Sequence, residues 1–173
     1  MMYTVSEAGK LIKKIEEKIR RLLLNEEKTA IFNAASGEDV ESLRPKYDFD
    51  STQKEIENLQ NKLRIVKHAI NEFNITHSLP GFDGVTIDQA LIMIPQIGKR
   101  AETLRTMAAH LPKERVKASY MGSNIIDYRI VNYDASKVEQ KYQECVDTVS
   151  AMQLLTLDKI NTTETMEIDV ELF

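Results

Sequence analysis

The chain has no tryptophan, one cysteine, four prolines and six glycines among 173 residues. The single Cys145 excludes an internal disulfide framework and is compatible with a reducing compartment. So few glycines and prolines leave little material for the many turns of a β-sandwich. No run of 18 apolar residues occurs, and Met1 to Lys18 lacks the continuous apolar segment of a secretory signal. The expectation is therefore a cytoplasmic protein without a membrane span. A formal net charge of −4 supplies no positive field toward phosphate backbones or anionic lipid, so neither nucleic acid nor membrane is an expected partner.

What the chain has is helical periodicity. With 42% hydrophobic and 29% charged residues, it suits one mainly α domain over residues 1–173. Ile56, Leu59, Leu63, Val66, Ile70 and Phe73 recur at alternating three- and four-residue steps, which predicts a helix over about 51–75. A second seam, Ala90, Ile94, Ile97, Ala101, Leu104, Ala108 and Leu111, predicts another over about 87–111. Together the two read as a long antiparallel coiled-coil hairpin. Near the start, Thr4 with Glu7 forms a capping box, opening a helix over about 5–27 whose stripe is Val5, Ala8, Ile12, Ile15, Ile19 and Leu22. Its basic run, Lys10, Lys13, Lys14, Lys18, Arg20 and Arg21, is interleaved with Glu7, Glu16 and Glu17 and reads as a solvated face. Leu11, Leu23 and Leu24 widen the apolar stripe beyond one seam.

Residues 29–49 break the rhythm and predict a mobile linker, with Asp50 or Ser51 capping the next helix. Pro80-Gly81 and Asp83-Gly84 mark turns, and Thr86 with Gln89 is a further capping box. Pro95 removes an amide inside the third helix, so the spacing predicts one bent helix, not two. Over 116–133 the period shortens to two around Met121-Gly122-Ser123-Asn124, which predicts a β-ribbon. Asp134 caps a last helix over about 135–160 with a seam of Val138, Tyr142, Cys145, Val149 and Met152. The alternation of Met166, Ile168, Val170 and Leu172 with acidic residues predicts a strand over about 165–172, pairing with the ribbon or with another subunit. The fold class is thus an antiparallel helical bundle with a minor β component.

Three stretches, Ala69-Ile70-Asn71-Glu72-Phe73-Asn74, Thr86-Ile87-Asp88-Gln89-Ala90-Leu91 and Lys159-Ile160-Asn161-Thr162-Thr163-Glu164, together with the order of elements, resemble the septicolysin-like family of small bacterial helical proteins. The chain departs from that pattern at Pro95 and in the tail beyond Glu164. The family is essentially uncharacterised, and the cytolysin activity its name implies finds no support in these residues.

No catalytic motif is specific. His68, His77 and His110 show no metal-ligand spacing, and no cofactor is expected. His77 and Asp83, close in sequence at a turn, are the weak ligand candidates. Cys145 on an apolar seam reads as an inert buried thiol. The pairs Glu38/Glu41, Glu55/Glu57 and Glu164/Glu167 read as solvated carboxylates. Gly81-Phe82-Asp83-Gly84 lacks the Lys-Ser/Thr of a phosphate loop. Tyr120, Tyr128 and Tyr133 with Lys117 and Arg129 fit ribbon packing as well as a stacking platform. The reading that follows is a non-catalytic structural or interaction protein, a homo-oligomer held through the helical seams of Ile56, Leu59, Leu63, Val66, Ile70, Phe73, Ile94, Ile97 and Leu104. Its alternatives are a Mg-dependent hydrolase of nucleotides or phosphate esters and a membrane-active cytolysin-like protein.

Overall fold

Helix α1 begins where its capping box requires. In the computed structural model, which describes residues 1–116 and 126–169, strand β1 (Met2–Thr4) runs directly into α1 (Val5–Thr29). The Thr4 hydroxyl accepts from the Glu7 amide, and the Glu7 carboxylate accepts from the Thr4 amide. The Thr4 amide and then the Thr4 hydroxyl, both donating to its carboxylate, hold Glu7 below the usual carboxylate range, and the two capped amides are groups a helix start otherwise leaves open.

The elements that follow are α2 (Val40–Leu43), α3 (Phe49–Thr76), α4 (Ile87–Ala108), β2 (Lys113–Arg115), β3 (Tyr128–Ile130) and α5 (Ala135–Ser150). A π-helical segment, Ala151–Leu157, joins α5 to α6 (Asp158–Thr163), and β4 (Thr165–Glu167) follows. The chain clusters into two compact units, Met1–His77 with the residues from Ile160 onward, and Ser78–Lys159. The second is inserted in the sequence of the first.

In the first unit α1 and α3 pack as an antiparallel pair. Ala8 and Ile15 are buried from α1, and Ile56, Leu59, Val66 and Phe73 from α3. The Lys67 ammonium meets the Glu16 carboxylate at 2.9 Å midway along the pair. Toward the other end Gln53 Nε2 donates to Glu26 Oε1 at 2.6 Å. The hairpin expected between the second and third helices is thus replaced by two different pairings, α1 with α3 and α4 with α5. Heptad spacing states that a stripe must be covered, not which helix covers it. Residues 30–48 are long enough to fold α1 back along α3. That linker also holds the single turn α2, with Asp39 at its N-cap. The cap of α3 is Asp48, whose carboxylate accepts from the Ser51 amide, so the helix starts earlier than Asp50.

The C-terminal strand pairs within the chain. β4 lies antiparallel to β1 with Tyr3 opposite Met166, and the Ile168 amide donates to the Met1 carbonyl. Met166 and Ile168 are buried while Glu167 and Asp169 stay exposed, as the alternation requires. Val170 and Leu172 lie outside the described residues.

In the second unit α4 and α5 form the helix pair, with Ala101, Leu104, Val138 and Cys145 in one cluster. Thr86 and Gln89 complete their capping box. Helix α4 runs unbroken through Pro95 and ends at Ala108, short of Leu111, where Pro112 forecloses continuation. The ribbon's second strand lies where expected and its first begins before Val116: Lys113 pairs with Ile130 and Arg115 with Tyr128. The expected turn at Met121 to Asn124 and Tyr120 lie outside the described residues. Asp134 caps α5 through the Ser136 and Lys137 amides. In the π segment the buried Thr156 hydroxyl donates to the Met152 carbonyl at 2.6 Å, giving an acceptor in the widened turn a partner.

Leu59 is 6% exposed between α3 and α1. Leu59→Ala is expected to cost about 2–5 kcal/mol in urea unfolding, whereas Leu23→Ala, on the exposed face of α1, shifts stability by less than about 0.5 kcal/mol.

Candidate functional site

The seam residues sit in core positions. Ile56, Leu59, Val66, Phe73 and Leu104 are buried, and Leu63, Ile70, Ile94 and Ile97 are half-buried. The five buried ones are covered within this chain. Among the apolar residues that stay exposed, six lie toward one end of the first unit's helix pair: Leu23, Leu24 and Ile31 from the end of α1, Val40 and Leu43 from α2, and Phe49 from the start of α3. Ile31 is 83% and Phe49 61% exposed.

This tip is held in shape by polar contacts. Glu26 accepts from both the Tyr47 hydroxyl and Gln53, and the neighbouring carboxylate pushes the Tyr47 phenol up to about 12. Arg44 grips Glu41 through two nitrogens at 2.7 and 2.9 Å and lies over the Phe32 ring. Residues expected to form a mobile linker therefore carry a local fold. The signal missed in the sequence is the run of aromatic and Arg residues, Phe32, Arg44, Tyr47 and Phe49, interleaved with acids.

His77 ends α3. Its ring stacks on Phe73 at 3.8 Å, and Nδ1 donates to the Phe73 carbonyl at 2.9 Å, because a carbonyl oxygen only accepts. Nε2 is 4.0 Å from Glu164 Oε2. Together these fix the ring as a C-terminal cap of α3 beside a shallow cavity of about 210 Å³ that Glu72, Thr76, Met166 and Glu167 also line. Asp83 belongs to the other unit, in the turn that Gly81 and Gly84 build with positive φ of 80° and 74°. There it edges a cleft of about 320 Å³ with Val85, Gln89, Ile92 and Met93. The two ligand candidates thus serve separate local structures.

The remaining candidates resolve into packing and surface charge. Cys145 is a free thiol, 8% exposed in the α4–α5 core. Lys141 and Glu144 pair at 2.7 Å at a cavity of about 390 Å³ that Cys145 also lines. The Tyr133 hydroxyl donates to the Met107 carbonyl, and Lys113 lies over the exposed Tyr128 ring at 4.1 Å. Among the described residues no group of three or more His, Cys, Asp or Glu is placed to hold a metal ion. Among the described residues no helix is long and apolar enough to cross a membrane.

The architecture is mainly helical, with two small two-stranded antiparallel sheets among the described residues. A crystal structure described as a functionally unknown conserved protein from Corynebacterium diphtheriae is similar to it. That likeness has a TM-score of 0.57 at 16% identity and covers 96% of this chain and 100% of the other. At that identity it speaks for the fold alone. No protein-family model matches the chain, and no curated protein matches it.

The Cys145 environment makes a kinetic expectation. A water-soluble thiol reagent is expected to label the native protein slowly and the urea-unfolded protein at the rate of a free cysteine. Fast native labelling would show that the α4–α5 seam opens readily.

Proposed function

We propose that the protein is a non-catalytic structural or interaction protein that self-associates. The observation that carries the reading is the number of large apolar side chains left exposed from the end of α1 to the start of α3: Leu23, Leu24, Ile31, Val40, Leu43 and Phe49. Scattered single apolar residues are ordinary on a surface, but six within one short stretch of chain, interspersed with charge, are the composition of an interaction site. The charges are Glu27, Lys28, Glu38, Asp39 and Lys46, all exposed. Association here uses surface left over after folding, not the core seams themselves. A septicolysin-like relationship, kept as part of this proposal, adds no chemistry to it.

The observation that would favour a Mg-dependent hydrolase is convergence of three or more carboxylates, and it is not found among the described residues. The Glu38 carboxylate accepts from the Ala35 amide, and Glu41 is taken up by Arg44.

Light scattering after size exclusion is expected to show a dimer or larger assembly at micromolar concentration. Leu24→Ser with Ile31→Ser should move the distribution toward monomer while the helical circular dichroism is kept, since Ile31 is 83% and Leu24 39% exposed in the single chain. A strict monomer for the parent chain contradicts the proposal.

A further inference from the structure

The proposed self-association has a geometry written on the outer face of α1. The core stripe of this helix runs through Ala8, Ile15, Ile19 and Leu22. Two residues further along the chain is 200° round the helix, so Lys10, Lys13, Glu17, Arg20, Leu24 and Glu27 form a second stripe on the opposite side. All six are exposed except the half-buried Glu17. They step three, four, three, four and three residues, the spacing of a helix contact face.

This stripe is self-complementary when reversed. Residues 10–21 carry six basic and two acidic side chains, whereas residues 26–50 carry seven acidic and three basic. One α1 laid antiparallel on another with positions 17 and 20 at the centre sets Lys10 opposite Glu27 of the second copy. In the same register Lys13 falls opposite Leu24 of that copy, and Glu17 opposite its Arg20. Each pairing occurs twice by symmetry, as an isologous interface demands. Glu17 already holds Arg20 and Arg21 at 2.9 Å within the helix, so the centre becomes an alternating network of acids and bases. The Lys13 methylenes cover Leu24 while the ammonium stays in water. A parallel arrangement in register sets Lys10 on Lys10 and Glu27 on Glu27, which repel.

We propose that two copies of this chain associate through an antiparallel α1–α1 contact in which Lys10, Glu17, Arg20 and Glu27 set the register and Leu24 under Lys13 supplies apolar burial. It rests on the self-association reading and goes beyond it in naming the face, the direction and the symmetry. The affinity is modest and salt-dependent, because the pairs are exposed.

Sedimentation of the full chain tests it with Lys10→Glu, Glu27→Lys and the double variant K10E/E27K, at low and high salt. Each single variant places two like-charge pairs in the interface and is expected to weaken the dimer about tenfold. The double variant restores opposite charges and returns affinity to within about threefold of the parent. High salt weakens the parent dimer. Circular dichroism should be the same for all four chains, since both positions are exposed. A dimer indifferent to both single variants, or a double variant as weak as the singles, overturns this interface while leaving self-association in place. A parent chain monomeric throughout overturns both.

Discussion

A helix of 28 residues such as α3 is marginal in water unless its apolar stripe is covered. Covering it is the constraint from which the rest of the first unit follows. Helix α1 lies along it, so Ile15 and Val66 reach full burial, and the pair is pinned midway by Lys67–Glu16 and toward one end by Gln53–Glu26. With α1 so placed, its first turn brings residues 2–4 to the far end of the pair, where β4 completes a ribbon with them. An isolated two-stranded ribbon has little stability of its own; here Met166 and Ile168 give it a buried face.

The insertion Ser78–Lys159 solves the same problem independently. Helix α4 is apolar on more than one side, as Leu91 and Ile92 show by remaining exposed, and α5 covers its main stripe. The capping box at Thr86 and the Asp134 cap set the starts. The absence of an amide at Pro95 costs a hydrogen bond, not the helix, because tertiary burial of Ala90, Ala101 and Leu104 on either side holds the phase.

Much of this was legible in the sequence, and the limits have physical causes. Capping boxes are local, so Thr4–Glu7 and Thr86–Gln89 could be read directly and are found as read. The seams are local too, and their residues are core. Partner choice is not local: nothing in Leu59 or Leu104 says which stripe lies opposite, and the expected hairpin gave way to two other pairs. Strand β1 was missed because three residues before a helix carry no period of their own, and β4 acquires its partner from 160 residues away. At the candidate site, Leu23 and Leu24 were visible as excess apolar residues. The tip around Phe49 was not, because its shape depends on Tyr47 and Gln53 meeting Glu26 across the helix pair.

The account turns on α1 lying antiparallel against α3, and one distance reports it directly. With Cys145 replaced by alanine, spin labels at positions 16 and 67, whose native side chains meet at 2.9 Å, are expected to give one narrow distribution at short distance in dilute, monomeric samples. A broad distribution, or a separation comparable to the length of a whole helix, would contradict the pairing and everything built upon it.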